Sequence, residues 1–177
     1  PLFREEDFVI LHPEPIFAII EVKTNIRNSK KDLEEILEKA SRNAIEVLRN
    51  KKQPHSPVHF FNGIFSYDTE MNHEAVLEAY KNHWDAILNN PEIDTSRGMV
   101  EGTVNHMCLN QDIYLKTVYH GFGAFKTKQQ APAYFISKLF EHLKFNELYG
   151  YDDWFAFPRG DGEKIDSIIT IDSPEKE

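Results

Sequence analysis

Ile16-Phe17-Ala18-Ile19-Ile20-Glu21-Val22-Lys23 is a run of five apolar residues closed by two opposite charges one residue apart. Three isoleucines in an unbroken apolar run predict a β-strand covered on both faces. His12-Pro13-Glu14-Pro15 starts it sharply, because proline has no amide to give a central ladder. Side chains at i and i+2 of a strand share a face. Glu21 and Lys23 are therefore expected side by side at the strand's end, with Val22 turned back into the core. A carboxylate and an ammonium at the rim of a core strand suit a metal ion and a phosphate.

Upstream, Asp7-Phe8-Val9-Ile10-Leu11 is a short strand candidate, and the tight turn at residues 12–15 predicts an antiparallel hairpin with the central strand. Counting back from that turn sets Glu6 or Asp7 opposite Glu21, the choice depending on a one-residue change of register. Downstream, Thr24 to Asn28 is a polar loop. Ser29, with Asp32 three residues on, reads as an N-cap. The helix it opens is predicted over Lys30–Arg49, with Leu33, Ile36, Leu37, Ala40, Ala44, Val47 and Leu48 on one stripe. Its outer face mixes Glu34, Glu35, Glu38 and Lys39 with Arg42 and Arg49. Val58 to Tyr67 is the next strand, and strand–helix–strand predicts a parallel pair joined by a right-handed crossover.

A second helix is predicted from Asn72 to Leu88, buried through Val76, Leu77, Tyr80, Trp84, Ile87 and Leu88. Met99–Leu109 and Ile113–Tyr119 read as a hairpin about Asn110-Gln111-Asp112. Gly121-Phe122-Gly123 reads as a bend. A third helix carries Pro132 in its first turn and places Phe135, Ile136, Leu139, Phe140 and Leu143 on one side. Ile165 to Ile171 is either an edge strand or a loosely packed segment. Residues 1–177 are read as a single domain, with a core over 7–67 and added helices and a hairpin over 68–177.

At 177 residues the chain is long enough for a proper core. With 41% hydrophobic and 28% charged residues its composition is that of a globular protein in water. There is no apolar run of membrane-spanning length and no signal peptide, so no membrane partner and an intracellular, cytoplasmic location are expected. The single Cys108 excludes an internal disulfide and a cysteine-rich zinc site. The net charge of −9 argues against a general polyanion-binding surface. The charge is uneven, however. Residues 1–52 hold ten basic and ten acidic residues, and the whole excess falls in the remaining 125, which makes the first third the likelier nucleic-acid face. His55 and His59 are four apart, but Pro54 and Pro57 break any helix aligning them, and His73, His83, His106 and His120 have no ligand spacing.

The hairpin, the strand ending in Glu21-Val22-Lys23, the amphipathic helix and the parallel strand together resemble the core of the PD-(D/E)XK, or restriction-endonuclease-like, nuclease superfamily. The wording of residues 13–24, Pro-Glu-Pro-Ile-Phe-Ala-Ile-Ile-Glu-Val-Lys-Thr, followed by Ser29-Lys30-Lys31-Asp32-Leu33, is similar to a family of uncharacterised bacterial proteins with that core. The resemblance implies an α/β fold with a mixed sheet flanked by helices, and a Mg²⁺- or Mn²⁺-dependent nuclease acting on DNA, in genome defence or repair. It also implies a homodimer, since many nucleases of this superfamily work in pairs. Glu21 would be a metal ligand and the Val22 carbonyl a second one. Lys23 would orient the attacking water or stabilise the developing charge. In relatives a first acidic ligand sits on a strand well upstream of Pro-Glu-Pro. Nothing similar precedes Asp7, so either Glu6 or Asp7 substitutes, or that ligand and its strand belong to a segment preceding Pro1; the second is the expectation. Arg42 or Asn43 on the helix is a further candidate for the site. The competing readings are a catalytically inactive nuclease-fold module that binds nucleic acid or protein, and a scaffold domain within a larger protein.

Overall fold

The structure, a computed structural model, describes residues 3–5, 8–10, 16–27, 29–51, 60–90, 102–118, 121–147 and 167–170. Its elements in order are β1 (Phe3–Glu5), β2 (Phe8–Ile10), β3 (Ala18–Ile26), α1 (Lys30–Arg49), β4 (Phe61–Thr69) and α2 (His73–Leu88). Then come β5 (His106–Leu109), β6 (Ile113–Val118), β7 (Gly121–Lys126), α3 (Ala131–Glu147) and β8 (Ser167–Thr170). Strands β3 to β8 form a six-stranded mixed sheet in sequence order. The β3–β4 and β4–β5 pairs are parallel and the remaining three are antiparallel. Helices α1 and α2 cover one face and α3 the other, which gives the α/β architecture expected from the sequence.

Local chemistry explains each element of the β3–α1–β4 unit. The Ser29 hydroxyl accepts from the Asp32 amide at 3.2 Å, so α1 starts where the capping pattern puts it. Leu33, Leu37, Ala40, Ala44 and Leu48 are buried on its inner stripe. A fully buried leucine contributes about 1.5–3 kcal/mol, so this stripe holds the helix to the sheet. Just past the helix Lys51 is 6% exposed. Its ammonium donates to the Ile16 carbonyl at 2.6 Å and lies 5.0 Å from the centroid of the Phe17 ring. That contact ties the entrance of β3 to the end of α1. In β4, Asn62 is wholly buried, and its amide donates to the carbonyls of Ala40 (3.1 Å) and Gly102 (2.8 Å).

Several expectations are corrected. Strand β3 is not central. Among the described residues it pairs with β4 alone and lies at the sheet margin, so Ile19 and Ile20 are only half-buried. An isoleucine run reports burial of faces, not lateral position in the sheet. Val22 is 57% exposed instead of turned into the core. Its face carries the α3 layer, and α3 sits over β5 and β6, away from this edge. The predicted hairpin is not formed either, because β2 pairs antiparallel with β1 in a separate two-stranded sheet. Gly121-Phe122-Gly123 is not a bend but the start of β7, with Phe122 wholly buried opposite Thr117. On α3, Phe135 is buried and Leu139 partly so, while Ile136 and Phe140 are exposed, because the buried row runs Ala131, Phe135, Leu139 at steps of four.

The hairpin about Asn110 is formed by β5 and β6. Asn110 sits at φ 71°, and its side-chain carbonyl accepts from the amides of Asp112 and Ile113. Strand β8 is the edge-strand alternative for the tail. Among the described residues no helix is long and apolar enough to cross a membrane. His55, His59 and His120 lie outside the described residues.

Candidate active site

Glu21 and Lys23 project from β3 on the face that carries α1, as their spacing requires. Glu21 pairs in register with Ile64 and Lys23 with Ser66 of β4. The Lys23 ammonium lies 2.8 Å from Glu21 Oε1. The two side chains are 30% and 22% exposed, enclosed enough to be held and open enough to be reached. At the middle of α1, Lys39 brings a second ammonium to 3.7 Å from the same oxygen. The Lys23 hydrogen bond holds the Glu21 carboxyl below the usual carboxylate range. Partial burial works against this, and the charges of Lys23 and Lys39 add to it. Glu21 is thus an ionised oxygen donor at neutral pH.

The peptide groups of β3 add a second feature. The Phe61 amide donates to the Phe17 carbonyl at 3.1 Å, which sets the phase of the parallel ladder. Successive carbonyls of a strand point to opposite sides. The carbonyls of Phe17, Ile19 and Glu21 therefore face β4, and that of Val22 faces the side of β3 away from β4. Val22, whose side chain is 57% exposed, thus turns its carbonyl to the margin, as Ile20 does.

The resemblance implies a divalent cation at these groups. The donor chemistry fits in kind: one carboxylate and one backbone carbonyl are hard oxygen donors of the sort Mg²⁺ takes, with waters and substrate phosphate filling the other positions. The set is partial, because among the described residues no group of three or more His, Cys, Asp and Glu side chains is placed to hold a metal ion. The first acidic ligand expected from the sequence is not supplied by a β2–β3 hairpin, since β2 pairs with β1. Glu6 and Asp7 themselves lie outside the described residues.

The helix candidates fare differently. Arg42 pairs with Glu38 one turn back along α1, and Asn43 is exposed. Lys39, assigned by sequence to the solvated outer face, is the helix residue that reaches Glu21. Only its i, i+4 relation to residue 43 hinted at this, and no local pattern could show it. Two of the described histidines join elements of the fold. Buried His83 contacts the Ser41 hydroxyl at 3.1 Å, joining α2 to α1, and His106 contacts the Tyr114 hydroxyl at 2.9 Å while stacking on Phe61. Cys108 is buried, as expected.

No protein-family model and no curated protein matches the sequence. Solved structures do. The chain is similar to NucC of P. aeruginosa ATCC27853 in its cAAA-bound form, with a TM-score of 0.58 and 16% identity, over 81% of this chain and 58% of that one. It is also similar to the apo form of E. coli MS115-1 NucC, with a TM-score of 0.56 and 14% identity, over 81% of this chain and 61% of that one. The chain thus spans about three-fifths of the length of the structures it matches. At these identities the likeness concerns the fold, and with the β3–α1–β4 unit and its mixed sheet it establishes that the fold is restriction-endonuclease-like.

Proposed function

We propose that this protein is a metal-dependent nuclease that hydrolyses phosphodiester bonds in DNA, with Glu21 and Lys23 at the reacting phosphate. The observation that carries the reading is the 2.8 Å juxtaposition of Glu21 and Lys23, both partly exposed, in the middle of β3, which runs on to Ile26 beyond the Lys23 end expected from the sequence, within a restriction-endonuclease-like fold. Glu21 and the Val22 carbonyl would hold a Mg²⁺ or Mn²⁺ ion together with an acidic residue from outside the described set, for which Asp7 is the sequence candidate. The bound cation would supply neutralisation of the phosphoryl oxygens and a more acidic water. Lys23 keeps the Glu21 carboxyl ionised in the free protein. In the complex its ammonium orients the attacking water or stabilises charge growing on the phosphoryl oxygen, a contribution that strengthens towards the transition state. Assembly as a homodimer and a role in genome defence belong to the same proposal.

A second reading is favoured by one observation. Two ammonium groups surround a single described carboxylate, a balance that suits holding a phosphate without cutting it. The chain would then be a nucleic-acid-binding module that has lost hydrolysis.

The test uses the full-length protein with supercoiled plasmid, linear duplex and single-stranded DNA, in Mg²⁺ or Mn²⁺ and in chelator. The nuclease reading expects cleavage that needs metal and is lost in both Glu21→Ala and Lys23→Ala. Binding without cleavage under every condition would leave the module reading and end the first.

A further inference from the structure

Lys39 makes an unusual choice of partner. On a helix the better-oriented ion pair places the acid four residues before the base, and Glu35 stands in that position. Glu35 instead pairs with Lys31 at 3.7 Å, the less favoured orientation. Lys39 crosses to β3 and reaches Glu21, while its side chain stays 64% exposed. An ion pair this accessible contributes at most about 1 kcal/mol, so stability does not account for the arrangement. It does place two cations against one anion. Lys23 and Glu21 neutralise each other at 2.8 Å, and the ammonium of Lys39 is left beside them as net positive charge, open to solvent on α1.

We propose that Lys39 is a substrate-binding residue of this site, whose ammonium contacts a non-bridging oxygen of a DNA phosphate when Glu21 is engaged with the cation. Lys23 and Lys39 then have separate tasks. Lys23, on the strand, works at the reacting phosphate, and Lys39, on the helix, anchors the backbone next to it. The proposal rests on the nuclease reading and extends it to a residue from a second element.

Binding of a labelled DNA duplex to the full-length protein, in Ca²⁺ and over a range of salt concentrations, tests it. A single phosphate contact adds about 0.9 to the slope of log affinity against log salt. Lys39→Ala is expected to lower the slope by about that amount and to weaken binding roughly fivefold whatever the DNA sequence. Lys39→Arg is expected to restore the slope. In cleavage assays Lys39→Ala is expected to act more on KM than on kcat, and Lys23→Ala the reverse. A wild type that binds and cuts DNA beside a Lys39→Ala variant of unchanged slope would overturn this proposal alone. A wild type that neither binds nor cuts DNA would overturn the nuclease reading and this proposal with it.

Discussion

At Glu21 three charged side chains meet where stability gains little from their meeting. The Glu21–Lys23 and Glu21–Lys39 pairs are partly exposed, and pairs of that kind contribute about 0–1 kcal/mol. Replacing either lysine should therefore leave the unfolding midpoint nearly unchanged, so any loss of activity reports on chemistry. His83 shows the opposite case, a titratable group whose environment matters for folding. Burial lowers its pKa to about 4, against the opposing pull of Glu38 and Glu34 from α1. The sign follows from proton uptake. Between about pH 6.5 and 4 the unfolded chain protonates this imidazole and the folded chain does not, so its share of stability is complete above 6.5 and declines as the pH falls. Between pH 7.5 and 5 this amounts to about 2 kcal/mol. Urea unfolding at those two pH values should show the wild type losing about that much more than His83→Gln. Equal losses would mean that His83 is not buried as described.

At the level of elements, the unit that carries the site was largely legible in the sequence. The Ser29 cap, the α1 stripe and the Glu21–Lys23 spacing are local patterns set by helical and strand periodicity, and the structure reproduces them. What the sequence did not reveal was lateral order. Ile16 to Ile20 would read the same in a central or a marginal strand. The pairing of β2 with β1 instead of β3 is a contact between segments, invisible to either alone. Gly121 and Gly123 look like turn residues, yet antiparallel pairing with β6 overrides that preference. Lys39 was missed for the same reason, because its partner is 18 residues away and on another element. The docking of α3 offers a test at this scale. A Cβ built on Gly63 would lie 2.7 Å from both the Phe135 and Phe61 rings, so β4 and α3 approach closely only because that side chain is absent. Gly63→Ala should cost about 1–3 kcal/mol through overpacking. A chemical denaturation series reads this directly, and a neutral or stabilising substitution would contradict the packing of α3 on β4.

Across the whole molecule, the acidic balance and the site pull in different directions. A net charge of −9 repels nucleic acid at long range, so the proposed binding depends on a few local cations, and its salt dependence counts the phosphates that they contact. Residues 1–52, which contain Glu21, Lys23 and Lys39, are the electrically neutral part of the chain. The site therefore belongs to the part of the sequence that carries none of the acidic excess. In the proposed function Glu21 is the carboxylate through which metal-dependent DNA hydrolysis proceeds. Glu21→Gln keeps the side chain's shape and removes its charge, which makes the single-turnover cleavage rate of this variant in Mg²⁺ the most direct measurement. The account predicts a fall larger than the roughly ten- to hundredfold that follows loss of a merely supporting partner of a metal site. A Glu21→Gln protein that cleaves DNA at the wild-type rate would contradict it.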